Sequence, residues 1–179
     1  MSPSPTDPEI LIPEADIQRR VGELATAISL DYAGVDDLIL VGVLRGAFIF
    51  LADLARRLTV RRRVDFIAVS TYGNAVETRG AVRLVMDLRV NIVGRHVLVV
   101  EDIVDTGYTL RYLLGMLSAR GPKSIKSCVL VRKPVAERLD VPIDYLGFEI
   151  PNVWAVGYGL DFKDEFRTLP YIGQVSSKQ

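Results

Sequence analysis

Three carboxylates crowd one short stretch of this chain. Glu101, Asp102 and Asp105 follow the unbroken apolar run Val97-Leu98-Val99-Val100 and lead into the short turn Thr106-Gly107-Tyr108-Thr109. Backbone N–H groups at Thr106, Gly107, Tyr108 and Thr109 would point out of a first helical turn, where the dipole favours an anion such as phosphate. Glu101 and Asp102 repel a bare phosphate. A ligand that suits both ends therefore carries an anion at one end and hydroxyls or a bound cation at the other. A sugar phosphate has that form, because the two carboxylates can accept hydrogen bonds from a vicinal diol, directly or through Mg²⁺. No Walker loop, Gly-x-x-x-x-Gly-Lys-Ser/Thr, occurs in the chain. The competing reading is a plain acidic turn with Asp105 as a helix N-cap, but a cap uses one acid and the turn supplies three.

The elements that must position this stretch follow from the hydrophobic pattern. Val97 to Val100 reads as a strand buried on both faces of a parallel sheet. Leu110, Leu113, Leu114 and Leu117 recur at helical spacing behind the turn, and Gly121-Pro122 stops that helix. Ligands in open α/β sheets sit beyond the carboxyl ends of the strands, which is where the acids stand. Upstream, Pro13 with Glu14 and Asp16 marks a helix whose apolar face is Ile17, Val21, Leu24 and Ile28. Leu38 to Val43 reads as a second buried strand, followed by an apolar helix from Phe48 to Leu58. Further strands are expected at Val64 to Ser70, Ala81 to Leu88, Ser124 to Arg132 and Ile143 to Phe148. Alternation of strand and helix implies an α/β fold with a parallel sheet and right-handed crossovers.

Three other stretches could do chemistry. Leu44-Arg45-Gly46-Ala47 is a second strand-to-helix turn; Gly46 lets backbone approach a ligand and Arg45 could pair with a second anion, or the turn is an ordinary one with a solvated Arg45. The polar segment from Thr71 and Tyr72 to Gly80 is a hairpin loop about ten residues long, either a lid or a plain exposed loop. Trp154 stands among Gly157 and Gly159 in a stretch that ends at Asp161, and could stack on a flat ring or fill a corner of the core. Arg61-Arg62-Arg63 reads better as a solvated turn than as a binding patch.

Composition narrows the classes. Lys plus Arg and Asp plus Glu are both 22, so no global field attracts nucleic acid or an anionic membrane. A single histidine, His96, and a single cysteine, Cys128 in an apolar run, leave little for a zinc site or a Cys-His mechanism and favour a cytoplasmic protein without disulfides. Met1-Ser-Pro-Ser-Pro-Thr-Asp-Pro lacks a basic start and an apolar core, so residues 1–9 are expected to be a disordered tail and 10–179 one domain.

Taken together, these stretches resemble the type I phosphoribosyltransferases, and within them the hypoxanthine-guanine branch. The resemblance rests on Leu44 to Ala47, Ser70-Thr71-Tyr72-Gly73, Val97 to Thr109, and Lys133 with Gly147-Phe148-Glu149-Ile150-Pro151, Val156 to Asp161 and Arg167 to Gly173. It implies a mostly parallel central sheet flanked by helices, with a small hood built from the N- and C-terminal segments. The implied reaction is purine salvage: phosphoribosyl pyrophosphate and hypoxanthine or guanine give IMP or GMP and pyrophosphate, with Mg²⁺ as cofactor.

By match to the family's motifs, Glu101 and Asp102 hold the ribose hydroxyls with Mg²⁺ nearby. Asp105, Thr106, Gly107, Tyr108 and Thr109 cradle the 5′-phosphate, and Asp105 is the general base. Arg45, Gly46 and Arg167 match pyrophosphate contacts. Lys133 donates to the purine 6-oxo group, Trp154 stacks on the base, and backbone at Val153 and Ala155 meets its edge. Asp161 matches a second Mg²⁺ site, and Thr71 and Tyr72 belong to the mobile loop. The resemblance also implies small-molecule substrates, no nucleic-acid or membrane partner, and a homodimer or homotetramer.

The chain departs from the family at Arg45, where many relatives have Lys, at Tyr108, often Lys or Arg, at Asn152, commonly Asp, and at Trp154, usually Phe or Tyr. Two other readings compete. An RNA-binding regulator of the pyrimidine-attenuation type shares the fold, and a dinucleotide-binding oxidoreductase would need a Gly-x-Gly-x-x-Gly turn that the chain lacks.

Overall fold

A computed structural model describes residues 8–71, 82–134 and 141–175. Among them six strands form the main sheet, in the order β4(Val82–Met86), β3(Arg62–Thr71), β2(Leu38–Leu44), β5(His96–Val104), β6(Ser124–Arg132), β7(Tyr145–Glu149). All neighbours run parallel except β3 and β4. Three further strands, β1(Glu9–Ile12), β9(Ile172–Val175) and β8(Trp154–Val156), make a small antiparallel sheet in that spatial order. This is the hood of N- and C-terminal segments. Helices α1(Glu14–Asp31), α2(Phe48–Arg57) and α3(Tyr108–Ser118) cover the main sheet.

Period-two alternation explains why the central strands read as solid apolar runs. Leu38, Leu40, Leu98 and Val100 point into one core with Ile28, Phe50 and Leu54 from α1 and α2. Ile39, Val41, Val97 and Val99 point into the other with Leu110, Leu113 and Leu117 from α3. Both faces are therefore buried and neither alternate position is free to be polar. Cys128 belongs to the first core.

Several boundaries differ from the sequence reading, each for a local reason. Glu9, expected in the tail, opens β1 by pairing with Gln174. The basic run does not precede β3; Arg62 and Arg63 start it by pairing with Leu38 and Ile39. The strand expected from Ile143 begins at Tyr145, because Asp144 instead accepts the Ser127 N–H at 2.8 Å through Oδ2. The edge strand β7 is covered from α1, where Arg20 donates to the carbonyls of Leu146 at 2.7 Å and Gly147 at 3.0 Å. Among the described residues no helix is long and apolar enough to cross a membrane.

Candidate active site

The acids at the heart of the site lie on a strand and not in a loop. Strand β5 runs through Val104, so Glu101 and Asp102 lie within its C-terminal half, and they are 6% and 8% exposed. Burial first, and then the neighbouring Asp102 charge, pushes the Glu101 carboxyl well above its usual range. Burial also raises Asp102, against hydrogen bonds from its own backbone region and the charge of Arg167. Glu101 Oε2 is buried without a hydrogen-bond partner. A buried acceptor left unmade is costly, and it suits a ligand that brings a hydroxyl or a cation.

Beyond β5 the chain turns through Asp105 and Thr106, both exposed, and enters α3 at Tyr108. The N-cap is Gly107, at φ +89°, and no side chain caps the helix. Asp105 therefore does not serve as the cap. Its carboxylate turns the other way, toward Lys133, with Oδ2 3.1 Å from Nζ. Parallel pairing of Val104 with Arg132, and a hydrogen bond of 3.0 Å from the Lys133 N–H to Val104 O, bring the two together. The first turn of α3 has no side-chain cap on its leading amides.

The turn after β2 packs directly on this stretch. A Cβ at Gly46 would collide with the Asp102 carboxylate, and a Cβ at Gly159 would collide with the Gly46 carbonyl. Only glycine at both positions lets three segments close on one another: the end of β5, the turn at Arg45 and Gly46, and the loop through Gly159. The Leu44–Arg45 peptide is cis.

That loop is anchored from below. Tyr158 donates its hydroxyl to Asp53 Oδ2 at 2.5 Å, and Asp53 is a buried acid on α2 that also accepts from Gln18 at 3.1 Å and pairs with Arg56. Arg167 holds the far side, donating to Gly159 O at 2.8 Å and pairing with Asp161 at 2.7 Å and Asp164 at 3.1 Å. Arg45 reaches across to the same Asp164 oxygen. Sequence reasoning passed over Asp53 and Asp164 as site-builders, and noted Tyr158 and Gly159 only as part of the run that ends at Asp161. Asp53 had a signal, since a lone acid inside Phe48-Ile49-Phe50-Leu51-Ala52-Asp53-Leu54 must find a partner when that face is buried; Asp164 had none.

Trp154 starts β8 and is 53% exposed, so it does not fill the core. Its Nε1 donates to Asp161 O at 3.3 Å, and its ring meets Phe162 edge-on at 5.4 Å. Ala155 is buried and Val153 partly so. Thr71 ends β3, while Tyr72 and the rest of the expected loop lie outside the described residues. Among the described residues no group of three or more Asp, Glu, His or Cys could hold a metal ion by itself.

Comparison with known proteins bears on the family and the fold. The phosphoribosyl transferase domain model matches residues 13–163. The chain is 45% identical over 168 residues to the hypoxanthine phosphoribosyltransferase of Escherichia coli K12, covering 93% of this chain and 94% of that one. It is 41% identical over 173 residues to the hypoxanthine-guanine phosphoribosyltransferase of Dictyostelium discoideum, covering 95% and 96%. A crystal structure of a hypoxanthine-guanine phosphoribosyltransferase from Bacillus anthracis superposes with a TM-score of 0.88 at 42% identity, covering 94% and 98%. Matches of this extent place the chain in the phosphoribosyltransferase family, among its hypoxanthine and hypoxanthine-guanine enzymes.

Proposed function

We propose that the chain moves the 5-phosphoribosyl group of phosphoribosyl pyrophosphate onto hypoxanthine or guanine, giving IMP or GMP and pyrophosphate. The observation that carries this reading is the pairing of an exposed Asp105 carboxylate with the Lys133 ammonium, 3.1 Å apart, beside a buried carboxylate pair. One flat base can meet both: Lys133 donates to an exocyclic oxygen while Asp105 takes a proton from a ring nitrogen. Adenine presents an amino group to the same ammonium and is rejected. Trp154 would stack on the base, and the backbone at Val153 and Ala155 would read its edge.

Glu101 and Asp102 accept the ribose hydroxyls, and the amides of Thr106, Gly107, Tyr108 and Thr109 receive the 5′-phosphate. With Tyr108 where relatives often carry a cation, phosphate affinity rests on backbone donors. Arg45 and Arg167 take the departing pyrophosphate, with Gly46 giving the backbone room to approach it. Departure leaves a cationic ribose that water would capture, which gives the segment at Thr71 and Tyr72 the task of excluding water.

The hard oxygens of Glu101, Asp102 and Asp161 suit magnesium, and the unpartnered Glu101 Oε2 supports that fit. Bound magnesium supplies charge neutralisation at the pyrophosphate. With no three-ligand cluster among the described residues, the carboxylates would hold the ion jointly with substrate oxygens. The single, buried Cys128 fits a cytoplasmic protein. We take the chain from β1 onward as one domain and the working unit as a homodimer or homotetramer.

The test is a panel of hypoxanthine, guanine, xanthine and adenine with phosphoribosyl pyrophosphate and magnesium. Nucleotide formation from hypoxanthine or guanine and none from adenine supports the reading. Turnover of adenine alone, or of no base, contradicts it.

A further inference from the structure

Both arginines read as pyrophosphate contacts already hold an anion. Arg45 Nη2 and Arg167 Nη2 each pair with the same atom, Asp164 Oδ1. The two come from opposite parts of the chain, since Arg45 and Asp164 are separated by 119 positions. A carboxylate oxygen between two guanidinium groups reproduces the contacts of a phosphoryl oxygen between them.

The local backbone holds that carboxylate in place. Asp164 takes a left-handed conformation, φ +66°, between Lys163 at +53° and Phe166 at +71°. Its N–H donates to Asp161 Oδ2 at 2.8 Å, and Phe162 and Glu165 close the turn with reciprocal backbone hydrogen bonds of 3.3 and 3.0 Å. The pairing is nevertheless easy to exchange. The side chains of Arg45 and Asp164 are 68% and 63% exposed, and exposed ion pairs are weak because water and salt screen them. Arg167 is only 18% exposed and keeps Gly159 O and Asp161 when Asp164 leaves.

We propose that Asp164 is a built-in stand-in for the leaving pyrophosphate, occupying Arg45 and Arg167 until a diphosphate displaces it and competing with product pyrophosphate for them afterwards. The proposal rests on the reading of those arginines as pyrophosphate contacts. Its consequence is a lowered affinity for pyrophosphate, since binding must first displace the carboxylate, and a faster product release. Loss of the carboxylate therefore strengthens binding, which damage to the fold does not do.

The experiment is calorimetric titration with inorganic pyrophosphate in a magnesium-containing buffer of fixed ionic strength, alongside product inhibition in the forward assay. Asp164→Asn should bind pyrophosphate about 3–10-fold more tightly and be inhibited by it at correspondingly lower concentration. Asn tolerates the left-handed backbone, so the turn persists. Glu165→Gln removes the same charge one residue away, where no ion pair to either arginine exists, and should change binding little. Unchanged or weaker binding by Asp164→Asn overturns the proposal, as does equal tightening by Glu165→Gln, which would mark a net-charge effect. Arg45→Ala separates the two readings. If it weakens pyrophosphate binding while Asp164→Asn does not strengthen it, the stand-in fails and the pyrophosphate site stands. If neither Arg45→Ala nor Arg167→Ala affects binding, both fall.

Discussion

The Asp105 carboxylate lies 3.1 Å from the Lys133 ammonium, across 28 positions of sequence, because β5 and β6 are parallel neighbours that end at the same level. Lys133 is 8% exposed, and the Asp105 side chain is 55% exposed. The pair is thus a buried donor holding an accessible acceptor at the mouth of the site. Replacing Asp105 with Asn keeps the shape and removes the proton acceptor. The turnover number should fall about 10²-fold or more while the KM for phosphoribosyl pyrophosphate changes little. Steady-state kinetics at neutral pH checks this, and unchanged turnover would remove Asp105 from its role.

Lys133→Gln keeps a donor of similar length and removes the charge. A charged hydrogen bond contributes about 1.5–3 kcal/mol, so kcat/KM for hypoxanthine should drop roughly 10–100-fold. Discrimination against adenine should shrink as well. Competition between the two bases measures it, and an unaltered base profile would show that the ammonium does not read the oxo group.

Glu101 and Asp102 are adjacent buried carboxyl groups, and Glu101 Oε2 has no hydrogen-bond partner. Glu101→Gln removes the charge that burial and the neighbouring Asp102 disfavour. The free protein should gain about 1 kcal/mol, a rise of ~2–4 °C in Tm for a chain of this size. The same change should weaken phosphoribosyl pyrophosphate binding about tenfold or more, through loss of a charged acceptor. Thermal melts paired with calorimetry test both, and a Tm that falls would contradict the account.

Burial alone would raise the Asp53 carboxyl, but hydrogen bonds from Tyr158, Gln18 and Arg56 outweigh it and hold the group below its ordinary 3.8. Its stabilising contribution is therefore fully present above pH 3.8 and is lost as pH falls through the lower folded value. Asp53→Asn should cost about 1–3 kcal/mol at neutral pH. The gap between the variant and the parent should close below pH 3.8. Urea denaturation across pH 3–7 gives the comparison; a gap independent of pH would exclude this role.

The parts of the fold legible in the chain were those with strong local periodicity. Leu38 to Val43 and Val97 to Val100 carry apolar residues at both parities because both faces are covered, and the α1 stripe at Ile17, Val21, Leu24 and Ile28 is buried throughout. The hood was expected from the family resemblance, but its strands were not legible in the local pattern. β1 and β9 are four residues each and pair across the whole chain, so no local pattern announces them. A helix cap was the lesser sequence reading of Asp105 and a base the reading implied by resemblance, and the register of β5 on β6 shows which way its carboxylate turns. Asp164 was silent because its partners, Arg45 and Arg167, are fixed by tertiary packing of a glycine turn against a glycine loop.

The central claim is transfer of a phosphoribosyl group to a 6-oxopurine. The most direct measurement follows IMP and pyrophosphate together in a mixture of the protein, hypoxanthine, phosphoribosyl pyrophosphate and magnesium. The account predicts equal amounts of the two products, and neither when adenine replaces hypoxanthine. Pyrophosphate without IMP, or equal yields of nucleotide from adenine, would contradict it.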